Sequence, residues 1–310
     1  MSSEGIVAQA SWASARERGA RLIMRLTALG LKLMARPITT PLVHLVALYF
    51  FLCSPRTRAL SRDYLRRVEQ AFPARGIRST PRFVYGHVSA FAHAIRDKLD
   101  AWAGRLKYTQ ITFTNHPGLS EAAMSRQGIL VIGSHLGNVE LCRALAHHYD
   151  RVRLNVLVHT RHVAHFNEML RASGATEVEL FQVTDLDAAT ALKLKQRIER
   201  GEWVVIAGDR VPVHGGRTVD VDFLGGRAPL PVGPYVMAAL LEAPVYLLFC
   251  LRHRGRNHVY FERFSERIRW RRAERDAVLA REAQRFADRL AHYLELEPLQ
   301  WFNFYPFWRA

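Results

Sequence analysis

The chain has 310 residues, enough to bury a sizeable core in one large domain or two small ones. Its 44 Lys+Arg against 28 Asp+Glu give a net charge of +16, which favours an anionic partner: a phospholipid surface, nucleic acid or an acidic carrier protein. The three cysteines, Cys53, Cys142 and Cys250, are widely spaced in apolar runs, which excludes a disulfide framework and zinc spacing and reads as buried thiols in a reducing compartment.

Residues 1–20 are small, polar and charged. From there Leu22, Ile23, Leu26, Leu29, Leu33 and Met34 recur at helical spacing, with Arg21, Arg25, Lys32 and Arg36 between them. After Pro37 an apolar run reaches Leu52, and Arg56, Arg58, Arg62, Arg66 and Arg67 follow. The run is shorter and more interrupted than the about 20 apolar residues a spanning helix needs. No small-residue cleavage site follows it, so it is not read as a removable signal. A moderately apolar helix with basic flanks describes an interfacial membrane anchor, here residues 1–56. A core helix pair would show the same spacing.

Residues 57–106 read as helix, broken near Pro81, with His87 and His93 as surface or core polar residues of the second segment. Tyr108 to Thr114 alternates like a strand, and Ile129 to Ile132 is a short apolar run typical of a buried one. Val139 to Ala146 has helical spacing. Strands are then expected at Val152–Val158, Val178–Phe181 and Trp203–Ala207. A short helix is expected at Phe166–Ser173, and another capped by Thr184 or Asp185 that runs through Ile198. Val219–Phe223 alternates like an edge strand, Leu224–Gly233 reads as a Gly/Pro loop, and Tyr235–Leu241 as a helix. Val245–Leu251 and His258–Phe264 read as late strands, 271–296 as a long charged helix, and the tail as densely aromatic. The expected fold class is α/β, with a mixed, largely parallel central sheet flanked by helices and preceded by the helical anchor.

The chemistry concentrates where the run Ile129–Ile132 ends, in Gly133-Ser134-His135-Leu136-Gly137-Asn138-Val139-Glu140. A strand-to-helix turn at the C-terminal end of a strand is where open α/β sheets place ligands. On an ideal helix the five steps from His135 to Glu140 rotate by about 140°, so the pair meets only if the chain turns between them. Gly137 and Asn138 tolerate such a turn. Glu140 would then fix the imidazole tautomer and leave the other ring nitrogen to take a proton from a hydroxyl or amine. That logic supplies a base without a protein nucleophile, and suits transfer from an activated thioester to an acceptor that is itself the nucleophile.

Arg161 and the pair Asp209/Arg210 also follow predicted strands. If the strands are parallel, these loops share one sheet edge with His135. The two arginines would bind phosphate or a developing oxyanion, with Asp209 holding one of them. Gly-Ser-His lacks the G-x-S-x-G elbow, which disfavours Ser134 as a nucleophile. His159, His162 and His165 have no carboxylate or cysteine to complete a ligand set, so no metal is expected. Gly215-Gly216 and Gly225-Gly226 read as hairpin turns.

With these residues laid out, the chain resembles the lysophospholipid acyltransferase superfamily, and within it the bacterial lipid A late acyltransferases. The resemblance rests on HLGNVE as an H-x4-D/E block, the anchor with its basic flank, Gly208-Asp209-Arg210, the FLGGRAPLPVGPYVMAALLEAPVYLLF block and a Gln-Trp pair near the end. It implies an acyltransferase domain over 57–310, at the cytoplasmic face of the inner membrane. His135 would be the base and Glu140 its orienter. Asn138, Arg161, Asp209 and Arg210 would contact substrate. The resemblance also implies a fatty acyl thioester on acyl carrier protein as donor, with coenzyme A as the other option and no resident cofactor. The GDRVP and HTRH stretches are more similar to a sister group associated with aryl-polyene and glycolipid or aminolipid pathways. A lipid or glycolipid hydroxyl is therefore the expected acceptor. Two rivals are an N-acyltransferase making an amino-acid lipid and a basic scaffold binding lipid or nucleic acid. The latter is disfavoured because the aromatics cluster in apolar runs and do not interleave with Arg.

Overall fold

The structure, a computed structural model, describes residues 36–102, 111–114, 116–138, 152–158, 178–182, 188–211 and 216–309. The first helix, α1 (Arg36–Cys53), buries Val43 and Ala47 and leaves Leu45, Leu48, Tyr49 and Leu52 exposed. The helix α2 (Pro55–Ala71) starts with Pro at N1, where the missing N–H costs nothing. It buries Tyr64, Leu65 and Val68, which recur at helical spacing on one face. The helix α3 (Pro81–Trp102) packs against α1, with Arg96 donating to Thr40 and His44 bonding Tyr85. Then come β1 (Ile111–Thr114), α4 (His116–Met124) and β2 (Ile129–Gly133). All of β2 is buried, as a strand covered on both faces requires.

The next elements are β3 (Leu154–Val158), β4 (Val178–Gln182), α5 (Ala188–Glu199) and β5 (Trp203–Ala207). After β6 (Thr218–Phe223), β7 (Gly226–Pro231) and α6 (Gly233–Leu241), the chain forms β8 (Val245–His253), β9 (Arg256–Ser265) and α7 (Arg275–Leu296). A seven-stranded sheet has the order β1-β9-β8-β2-β5-β3-β4. From β8 to β4 neighbouring strands are parallel, while β9 is antiparallel to β8 and carries β1 parallel to itself. The sheet is mixed and mostly parallel, and α/β is the fold class.

Three expectations change. The stretch expected as a Gly/Pro loop contains β7, which pairs with β6 in a separate ribbon, so Val219–Phe223 is not an edge of the main sheet. The turn holds two residues, Leu224 and Gly225, both at positive φ (47° and 72°), as a tight hairpin requires. Val232 N donates to Arg217 O, and alternation from that pair puts Pro229 and Pro231 at positions whose nitrogens face away from the partner strand. They therefore remove no ladder bond, which is how a proline-bearing run becomes a strand. Third, Cys53 is exposed, because it ends α1 on the helix's unburied face; Cys250 is buried in β8 as expected.

Among the described residues no helix is long and apolar enough to cross a membrane. The anchor's first segment, the helices expected at 139–146 and 166–173, and the cap at Thr184 or Asp185 lie outside the described residues. So do Cys142, Glu140 and Arg161.

Candidate active site

The strands β2 and β5 are neighbours in register, Gly133 opposite Ala207, and Gly208 N donates to Gly133 O at 2.9 Å. Two residues beyond this pair, both strands present a polar side chain at the same edge. His135 Nδ1 lies 2.8 Å from Asp209 Oδ1, and the backbone N of His135 donates to Asp209 Oδ2 at 2.7 Å. Gly208 permits the closeness: a Cβ there would sit 2.7 Å from Ile132 Cγ2 and 2.9 Å from Phe286 Cζ.

Asp209 is 1% exposed, while the His135 side chain is 35% exposed. The indole N–H of Trp301 donates to Asp209 Oδ2 at 3.0 Å. Burial alone would push the Asp209 carboxyl up. The adjacent His135, the hydrogen bonds from His135 and Trp301, and the Arg210 charge outweigh burial and hold it below the ordinary carboxylate range. An ionised carboxylate only accepts, so His135 Nδ1 carries the proton, and Nε2 is the ring nitrogen with a lone pair.

The loop after His135 is fixed on both sides. Gly137 N donates to Gln300 O and Asn138 N to Cys250 O, each at 2.8 Å, and Phe302 N donates to His135 O at 3.1 Å. Gly137 has φ of +75°, and a Cβ would fall 1.9 Å from Cys250 O, so only glycine fits this passage between β8 and the tail. Ser134 is buried and its hydroxyl accepts from Leu136 N, which turns it inward as a loop brace.

The expected site residues divide as follows. His135 and Asp209 come together. Asp209 is buried, its carboxylate is bonded by His135 and Trp301, and it lies in the field of the Arg210 charge. Arg210 is half-buried, donates to Phe302 O at 2.9 Å and lies over the Tyr305 ring. Asn138 donates from Nδ2 to Ala94 O at 3.2 Å, tying the loop to α3. The carboxylate seen at His135 Nδ1 is that of Asp209, and Glu140 lies outside the described residues.

Two contributors escaped the sequence reading. Trp301 is fully buried and pairs as a bridge with Leu136. His87, also fully buried, donates from Nε2 to Trp301 O at 2.8 Å and accepts at Nδ1 from Ser61 Oγ at 2.8 Å. Burial lowers the His87 pKa to about 4, so the ring is neutral and this pairing is the one it can make. The Gln300-Trp301 pair was the one visible signal; nothing in His87's local sequence marks it.

The profile of a family described as bacterial lipid A biosynthesis acyltransferase matches residues 22–310. A comparison with curated proteins finds no match.

Proposed function

The chain belongs to the bacterial lipid A biosynthesis acyltransferase family, and on that footing we propose that it moves a fatty or polyene acyl group from a carrier-protein thioester to a hydroxyl of a lipid or glycolipid acceptor. It is an acyltransferase; the donor, the acceptor and the residues below are our reading. The observation that carries the reading is the His135–Asp209 pair at the shared end of β2 and β5.

In the proposed step, Nε2 of His135 takes the acceptor hydroxyl proton as that oxygen attacks the thioester carbonyl carbon. The C–S bond then breaks, and the imidazolium returns its proton to the leaving thiolate. Asp209 holds the tautomer and stabilises the imidazolium, a role in which the buried carboxylate stays ionised. Glu140 is kept as the second acid of the H-x4-E block. Both carboxylates cannot occupy Nδ1 while Nε2 serves the substrate, so replacing each in turn separates their roles. Arg161 and Arg210 are proposed to steady anionic substrate groups or the oxyanion. No resident cofactor or metal enters the scheme.

The membrane reading is proposed on the same terms, with 1–56 as anchor and 57–310 as the catalytic domain at the cytoplasmic face of the inner membrane. Leu45 and Leu52 are 68% and 61% exposed on α1, and Arg56, Arg58 and Arg62 begin α2 directly beyond it. An apolar face beside a basic one is how a helix lies in an anionic interface.

The test is mass spectrometry of total lipids from cells with the protein, without it, and with His135→Ala. An acylated species lost in both the deletion and the variant names acceptor and chain together. Retained turnover by a folded His135→Ala protein would remove the mechanism.

A further inference from the structure

A pocket of about 250 Å³ lies against the loop that carries His135, on the β8 side, away from Asp209. Gly137, Asn138 and Phe302 form its wall toward the site. Its opposite lining comes from α3 and the β8–β9 hairpin, where Ala90, Ala94 and Cys250 give apolar surface and His93, Asp97, Arg252 and Asn257 supply the polar groups. None of these takes part in the step above.

The chemistry of that lining is specific. Burial, helped by Arg96, His44 and Arg252, lowers the His93 pKa to about 4, so its ring is neutral. His93 Nε2 lies 3.3 Å from His44 Nε2, and its Nδ1 is buried with no partner among the described residues. Asn257 is 8% exposed. Asp97 accepts from Arg252 Nη1 at 3.1 Å and from Arg96 at 3.2 Å, which neutralises its charge. Neutral amide and imidazole groups set in apolar surroundings match a ligand built of amides and short hydrocarbon links, whose N–H and C=O groups need partners once desolvated.

The pocket's rim is cationic. Arg252, 36% exposed, leads into a two-residue turn, Arg254-Gly255, both at positive φ (48° and 79°), followed by Arg256. Arg254 and Arg256 are exposed. A type I′ turn favours Asn, Asp or Gly at its first position, so Arg254 sits there at an energetic cost. Because β8 is parallel to β2, this basic turn lies at the same sheet edge as His135. A largely apolar pocket with a few polar side chains and with arginines at its mouth presents hydrogen-bond partners inside and phosphate partners outside.

We infer that this pocket binds the phosphopantetheine arm of the thioester donor, with its amides along His93 and Asn257 and its phosphate at Arg252, Arg254 and Arg256. The inference rests on the thioester donor proposed above. The arm is common to coenzyme A and to a carrier protein, and the two are separated by the test.

Binding is measured, not turnover, so that the outcome does not depend on the proposed chemistry. The probes are coenzyme A and a holo carrier protein, titrated by calorimetry into the full chain carrying His135→Ala and into the same chain with Ala94→Phe, which fills the pocket. Asn257→Leu is the second pocket variant should Ala94→Phe not fold. Both probes are expected to lose at least about tenfold in affinity in either pocket variant. Arg254→Glu with Arg256→Glu should weaken both probes if the phosphate is what they hold, and the carrier more if its acidic surface also docks there. Pocket-filled protein that binds both probes like its parent overturns the inference. So does a loss confined to the carrier with coenzyme A binding unchanged, since the shared arm would then lie elsewhere. Tight binding of anionic vesicles that Arg254→Glu and Arg256→Glu abolish, with both probes unaffected, reassigns the turn to lipid and also overturns it.

Discussion

Trp301 donates its indole N–H to Asp209 across 92 residues of chain, and its own carbonyl accepts from His87. A set of hydrogen bonds, buried as far as Asp209, thus runs from Ser61 on α2 through His87, Trp301 and Asp209 to the half-exposed His135 ring. Trp301→Phe keeps an aromatic ring in the core but leaves a buried carboxylate oxygen one bond short, at a cost of about 1–3 kcal/mol. The expected result is a lower melting temperature and a kcat reduced by about tenfold to a hundredfold, with KM little changed. Unchanged kcat in a destabilised protein would confine Trp301 to packing.

Asp209→Asn keeps the shape and removes the charge. An amide can present its NH2 to His135 and invert the tautomer, and by analogy with other oriented imidazoles kcat should fall by about 10³–10⁴-fold. Glu140→Gln, measured in the same assay, gives the comparison. The larger loss identifies the carboxylate that fixes the ring.

Gly137→Ala tests the passage between Cys250 and Gln300. A methyl group there meets the Cys250 carbonyl, and the backbone is held at a φ that L-residues rarely adopt. Destabilisation by about 2–4 kcal/mol is expected, read as a shift of the urea midpoint at constant m value. A midpoint within error of the parent would mean the loop can move aside.

His87 predicts how stability depends on acid. Its folded pKa of about 4 lies below the unfolded value near 6.5, so on acidification the unfolded chain takes the proton first. The stability contribution is complete above pH 6.5 and is lost as the pH falls from 6.5 to 4, by about 3 kcal/mol in total. Urea titrations at pH 7 and pH 4.5 should differ accordingly, and His87→Gln should be less stable at pH 7 but flatter with pH. An equally steep acid response in the variant assigns it to other groups.

Leu45→Ser with Leu52→Ser alters only exposed positions on α1. The fold should keep its melting temperature within the small range of surface changes, about 0.5 kcal/mol. Co-sedimentation with anionic vesicles should drop several-fold. Undiminished sedimentation would move the membrane contact away from this face.

Much of the architecture was legible in the sequence because its cues are local. The apolar run of β2, the helical stretches that become α2 and α7, and the late strands β8 and β9 each follow from local pattern. The second strand of the ribbon was not, because Pro229 and Pro231 signal a loop unless the pairing register is known. The site divided in the same way. His135, Gly137 and the Asp209-Arg210 pair were visible as residues beyond predicted strand ends, where open α/β sheets place ligands. Their relationship was not.

The fold class and the acyltransferase family were legible in contiguous stretches of the sequence. Only the tertiary structure brings Asp209 to the His135 ring. Spacing offered a neighbour five residues away, whereas the sheet order put β5 beside β2 and brought Asp209 to Nδ1 from 74 residues distant. Strand adjacency depends on how buried faces are shared across the whole sheet, a global condition that no local pattern carries.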